Sequence, residues 1–191
     1  MTRRAFPTTL GGFLALGTAS AEPRTPRPAG NLAITLGDGS RLALSKYLGK
    51  VCVVEFLFTT CPHCQQTSMA LSRINNDLGA RGFQPLGVAF NEGAMMLVPQ
   101  FVREFQVNYP VGVATRDQVI EFLEHSTMAR LMVPQVVIID RKGVIRHQSS
   151  LSDDEHLHEE RNLRKLVEEL LNEGGTKKST PAPSKSGSRS K

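Results

Sequence analysis

The sequence predicts an α/β fold: a central mixed β-sheet with a mainly parallel middle, flanked by helices. Three observations carry this expectation. Strand-like and helix-like stretches alternate through the middle of the 191-residue chain, the order of a parallel layer built with crossover helices. Two strand-like runs, Val51–Phe58 and Phe83–Phe90, are almost continuously apolar, as strands covered on both faces are. A hairpin signal stands towards either end, at Gly37-Asp38-Gly39 and at Arg141-Lys142-Gly143, so the sheet is mixed and not purely parallel.

The elements follow in order. Residues 1–21 read as an export signal. Arg3 and Arg4 precede a short apolar stretch from Leu10 to Leu16, and Ala19-Ser20-Ala21 supplies small residues at the cleavage positions. Thr2-Arg3-Arg4-Ala5-Phe6 is similar to a twin-arginine export motif. Residues 22–30, rich in Pro and Arg, read as a linker. Residues 31–173 form the expected folded domain. It opens with a hairpin, Leu32–Leu36 and Leu42–Leu44, in which apolar residues alternate. After Val51–Phe58 a helix is expected over Pro62–Leu78, with Leu71, Ile74 and Leu78 on one face and Gly79 and Gly82 as stops.

Beyond Phe83–Phe90, Pro99 suits the first turn of a helix that carries Phe101, Val102 and Phe105. Tyr109–Val113 reads as a short strand. Thr115 and Gln118 form a capping box for a helix carrying Val119, Ile120, Phe122 and Leu123. Gln135–Asp140 and Val144–Gln148 make the closing hairpin. Ser152 with Glu155 is a second capping box, and Leu163, Leu166, Val167, Leu170 and Leu171 form the stripe of a last helix that stops at Gly174. Residues 174–191 are Gly, Ser, Thr, Pro, Ala, Lys and Arg only. With no large apolar residue to offset the entropy of ordering, they read as a disordered basic tail.

Composition excludes several functions. With 40% hydrophobic and 21% charged residues the chain can build a soluble core. The net charge of +5 invites a nucleic-acid reading, but its distribution removes it. Two basic residues lie in residues 1–21 and five in residues 174–191, with no acid in either segment. Residues 22–173 therefore hold 16 basic against all 18 acidic residues, a net −2. A slightly acidic domain has no electrostatic footprint for nucleic acid.

The chemistry concentrates at Cys61-Pro62-His63-Cys64, which follows a buried strand and opens a helix. A helix N-terminus presents unpaired N–H groups and positive potential to the first sulfur, and the thiolate so favoured is the nucleophile of disulfide exchange. Cys64 lies one turn on, within disulfide reach. In this context C-x-x-C reads as a redox motif. A zinc site would need four ligands. The other candidates are Cys52, within a strand, and His156 and His158, which diverge if they lie on a helix.

Residues 31–171 resemble the thioredoxin superfamily, and within it the exported TlpA/ResA-like branch. The resemblance covers about three quarters of the chain. It rests on Val53 to Cys64 as the strand leading into the active site, and on Leu86 to Val113 as that branch's strand–helix insertion. It rests also on Met132-Val133-Pro134-Gln135 followed by Val136–Asp140 as the cis-proline strand and hairpin. The family commonly carries Trp before the first Cys; here that position is Thr60, and the chain has no Trp. Pro62-His63 and Glu55 are instead similar to the DsbA-type oxidising site, although the segment between Cys64 and Pro134 is short for the DsbA helical insertion.

The resemblance implies a thioredoxin-like fold and an exported thiol–disulfide oxidoreductase. Cys61 would attack, Cys64 resolve, and Pro62 and His63 tune the pair, with no cofactor beyond the redox-active cysteines. Glu55 would sit beneath Cys64 and shuttle a proton; a carboxylate facing a sheet edge or a salt bridge is the bland alternative. Val133, before a cis Pro134, would pair its backbone with an extended substrate. Expected partners are protein disulfides or dithiols and a membrane redox partner, with the chain itself monomeric. The TlpA/ResA likeness implies a reductase, in one setting for cytochrome c maturation. The alternatives are a DsbA-like oxidase and, from another class, a copper-binding or delivery module using the cysteines with Met95, Met96, Met128 or Met132, residues otherwise expected in core or loop packing. Cys52 reads as a buried hydrophobe.

Overall fold

Seven consecutive residues, Val51–Leu57, form the strand β4 at the heart of the molecule, and all seven are buried. The computed structural model describes residues 24–128, 130–150 and 156–173. The expected export signal, the tail and the Ser152–Glu155 capping box lie outside them. The other strands among the described residues are β1 Arg27–Pro28, β2 Ala33–Thr35, β3 Arg41–Ala43, β5 Phe83–Ala89, β6 Val111–Val113, β7 Gln135–Ile139 and β8 Val144–Gln148. These eight make one mixed sheet in the order β1-β8-β7-β4-β5-β6-β2-β3. The helices are α1 Pro62–Leu78, α2 Ala94–Glu104, α3 Arg116–Leu123 and α4 Glu160–Glu173.

β4 pairs parallel with β5 and antiparallel with β7, which explains its near-continuous apolar run. Its alternate residues serve two cores. Val51, Val53 and Leu57 pack with Leu71 and Ile74 of α1 and Leu163 and Val167 of α4. Cys52, Val54 and Phe56 pack with Val119 and Phe122 of α3. By the same alternation Glu55 points into the α1 layer. The expected βαβαβα order and both hairpins are present.

Four expectations need correction. Arg27 and Pro28, expected in a linker, pair with Ile145 and Val144 at the edge of the sheet. The Arg27 side chain donates to the Phe122 carbonyl at 2.7 Å and to Gln148 Oε1 at 2.9 Å, and pairs with Glu124. Pro and Arg composition suggested a linker because the partner strand lies far along the chain. Pro99 lies inside α2 and not in its first turn. Gly93, in the left-handed region, accepts from the Met96 and Leu97 N–H groups and starts the helix early.

β6 begins at Val111 and not at Tyr109, because Pro110 has no N–H for the ladder. Its Gly112 lets β2 approach: a Cβ there would lie 2.7 Å from the Thr35 carbonyl oxygen. Finally, His156 and His158 precede α4 and are not helical. His156 has a positive φ of 46°.

Candidate active site

Cys61 is the cap residue of α1, with extended backbone angles, and Pro62 occupies the first helical position, where its missing N–H costs nothing. The turn is fixed from both sides, because the Cys61 N–H donates to the Phe58 carbonyl and the Gln65 N–H to the Cys61 carbonyl, each at 3.0 Å. Thr59 is held by Asn91, just beyond β5. Its N–H donates to Asn91 Oδ1 at 2.9 Å, and Asn91 Nδ2 donates back to Thr59 Oγ1 at 3.1 Å. The residues that aim Cys61 therefore lie just beyond the ends of two neighbouring strands, β4 and β5.

The two sulfurs differ in environment. Cys61 is half-buried and Cys64 fully buried; both are free thiols. Cys61 Sγ makes no capping bond to the helix and instead lies 3.9 Å from the Val133 carbonyl oxygen. Burial pushes the Cys64 thiol well above its ordinary range, and the nearby Glu55 carboxylate pushes the same way. Such a thiol reacts only when a base removes its proton in place.

Glu55 is the buried carboxyl of this site. It has no exposed surface, and burial lifts its carboxyl to about 8. Ser68 Oγ donates to Glu55 Oε2 at 2.6 Å, and the Tyr109 hydroxyl donates to the same oxygen at 3.4 Å. Both donors favour the ionised form and oppose the burial. The alternative of a carboxylate facing a sheet edge is not met, since Glu55 pairs with Gly87 on one side and Val136 on the other.

The Val133–Pro134 peptide bond is cis, Pro134 is buried and Val133 is half-buried. Val133 packs against the same core as Cys64, as does Cys61. The structure thus brings Cys61, Cys64, Glu55, Val133 and Pro134 to one end of β4. His63 is exposed and lines a polar cleft of about 350 Å³ with Thr67, Arg73, His158 and Glu160.

Ser68, Tyr109 and Asn91 were not singled out from sequence. The available signals were Ser68 one turn after Cys64, and a tyrosine in an apolar stretch, whose hydroxyl needs a partner when buried. Cys52 is buried as expected, and burial pushes its thiol up to about 12. Of the two placements expected for the methionines, core or loop, the core is not met: Met95, Met96, Met128 and Met132 are exposed. Among the described residues no group of three or more His, Cys, Asp or Glu is placed to hold a metal ion.

Solved structures share this fold. The thioredoxin domain of a thiol-disulfide oxidoreductase from Bacteroides vulgatus is 21% identical, with a TM-score of 0.65 over 78% of this chain and 99% of that one. A thiol:disulfide interchange protein of the thioredoxin family from Chlorobium tepidum TLS is 25% identical, with a TM-score of 0.59 over 79% and 99%. A structure described as a putative thiol:disulfide interchange protein DsbE from Chlorobium tepidum is 19% identical, with a TM-score of 0.62 over 76% and 96%. Among curated proteins no sequence matches the chain. The family model described as Redoxin matches residues 22–167, from the N-terminal edge strand into α4. With a C-x-x-C pair on a strand–helix turn facing a cis proline, the chain belongs to the Redoxin family and is a thiol–disulfide oxidoreductase of the thioredoxin superfamily.

Proposed function

We propose that this protein is exported and reduces disulfide bonds of extracytoplasmic proteins, as a reductase of the TlpA/ResA type. The observation that carries the reading is the asymmetry of the pair: Cys61 is half-buried beside the Val133 carbonyl, while Cys64 is fully buried and feels the charge of Glu55, a carboxyl that burial lifts to about 8. Export is supported by the Arg3-Arg4 start and the Ala19-Ser20-Ala21 site.

The proposed exchange runs in two displacements. An extended substrate pairs with the Val133 backbone, and the Cys61 thiolate attacks its disulfide. One substrate sulfur leaves as a thiolate and takes a proton from solvent, and a mixed disulfide remains on Cys61. Glu55 then accepts the proton of Cys64, and the Cys64 thiolate attacks Cys61 Sγ. The Cys61–Cys64 bond forms, the mixed disulfide breaks, and the second substrate sulfur departs. The substrate has gained two electrons and the cysteine pair has lost them. Turnover therefore needs a dithiol donor, which for an exported protein points to a membrane redox partner; cytochrome c maturation is one setting for such a reductase.

Equilibration with glutathione tests the direction. A reduction potential near the thioredoxin value of about −270 mV supports the reductase, and one near the DsbA value of about −120 mV sinks it. The second outcome would favour a disulfide-donating oxidase, the reading that Pro62 and His63 support. Stoichiometric copper retained on purification and lost in Cys61→Ser would instead support metal delivery.

A further inference from the structure

We propose that Ser68 and Tyr109 are positioning residues for the exchange reaction: by holding Glu55 Oε2 they leave Oε1 as the oxygen that takes the proton from Cys64. The inference rests on Glu55 being the proton acceptor of the resolving step.

Ser68 lies four residues after Cys64 on α1, so the two side chains share the helix face turned towards β4. A helical serine commonly donates to the carbonyl one turn back. Ser72 does this, donating to the Ser68 carbonyl at 2.9 Å. Ser68 instead donates to Glu55 Oε2 at 2.6 Å. Tyr109, immediately before Pro110 and β6, reaches the same oxygen at 3.4 Å. Glu55 Oε1 is buried with no hydrogen-bond partner among the described residues.

Ser68, and Tyr109 when its hydroxyl is not turned to the Ser68 carbonyl at 3.5 Å, donate to Oε2, so Oε2 serves as the acceptor and a proton added to the carboxyl is directed to Oε1. That arrangement also fixes the plane of the carboxyl, which otherwise rotates freely about its last bond.

The surroundings leave few other controls. On the strands beside it Glu55 meets Gly87 and Val136, neither of which titrates. The α4 residues in that core, Leu163, Val167, Leu170 and Leu171, are apolar. The titratable groups coupled to it are Tyr109 and Cys64, with Cys61 coupled in turn to Cys64. Burial disfavours the carboxylate, and Ser68 and Tyr109 are what oppose it.

The test isolates the resolving step: in the full-length protein it follows, as a function of pH, the rate at which a preformed mixed disulfide of Cys61 with glutathione resolves to the Cys61–Cys64 bond. In the wild type, ionisation of Glu55 appears as an inflection, which Glu55→Gln removes. Ser68→Ala should move the inflection upward by about one pH unit, roughly tenfold less carboxylate below it, because a bond favouring the charged form is lost. Tyr109→Phe should move it the same way by less, since its contact is longer, and Ser68→Thr should restore the wild-type profile. Thermal melts at acidic pH, where the carboxyl is neutral in every variant, check folding, and Tyr109→Phe decides if Ser68→Ala does not fold. Inflections unmoved in Ser68→Ala and Tyr109→Phe, with Glu55→Gln flat, overturn this inference and leave Glu55 in its role. An inflection that survives Glu55→Gln overturns the role of Glu55 itself.

Discussion

Replacing Glu55 by Gln should flatten the pH dependence of stability of the reduced protein. Glu55 has no exposed surface, and burial lifts its carboxyl from an ordinary 4.5 to about 8. Around neutral pH the folded protein keeps a proton that the unfolded chain has released. The stabilisation tied to that proton is complete below 4.5, declines as pH rises, and is lost once pH passes about 8. Each unit in that window is worth about 1.4 kcal/mol, so about 3 kcal/mol is gone by roughly pH 7.

The glutamine cannot ionise. Its amide also lacks matched partners, a pH-independent cost of roughly 1–3 kcal/mol, so the slope carries the test. Urea unfolding in excess reductant should show the wild-type advantage over the variant falling by roughly 3–4 kcal/mol between about pH 5 and about pH 8. Cys64 and Tyr109 do not interfere, because burial holds both well above their ordinary values. Parallel wild-type and variant curves would mean that Glu55 is ionised in the folded protein. The proton relay would then lose its physical basis.

Three further outcomes are expected. Gly112→Ala should lower stability by about 2–3 kcal/mol, since its Cβ would meet the Thr35 carbonyl oxygen at 2.7 Å and Ile34 at 3.0 Å; an unchanged melting temperature refutes that packing. Arg27→Ala should cost about 2 kcal/mol, because the side chain, only 12% exposed, bonds Phe122 and Gln148 and pairs with Glu124. Denaturant unfolding measures this, and a change under about 0.5 kcal/mol would show that the edge strand does not need it. Cys52, whose thiol is pushed up to about 12, should resist iodoacetamide in the folded protein and react after unfolding, while Cys61 reacts in both. Mass spectrometry of the labelled peptides decides, and early labelling of Cys52 would contradict its burial.

Much of the site is legible in the amino-acid sequence. Cys61, Pro62 and Cys64 read correctly as a strand-to-helix turn because strand, turn and helix signals are all local. Glu55 stands out because a carboxylate in an apolar strand is costly, though sequence leaves open whether it faces an edge. The structure closes that question, since strands flank β4 on both sides. Arg27 misleads for the opposite reason: its composition is that of a linker, and its partners Phe122 and Gln148 are 95 and 121 residues away. For the methionines sequence leaves core and loop packing both open, and apolar character alone does not bury a residue: Met96 and Met128 are 85% and 92% exposed.

By itself the sequence determined the α/β alternation, both hairpins, the cap of α3 and the placing of two cysteines one helical turn apart. Each depends on neighbours within a few residues, where periodicity, capping and turn chemistry act. Tertiary structure alone decided what surrounds those cysteines. Ser68 reaches Glu55 across 13 positions, Tyr109 across 54, and Cys61 reaches the Val133 carbonyl across 72. Hydrogen-bond partners and burial at such separations arise only when strands β4, β5, β6 and β7 assemble side by side. Those contacts, and not the C-x-x-C spacing, set a buried carboxyl close enough to Cys64 for its charge to be felt there.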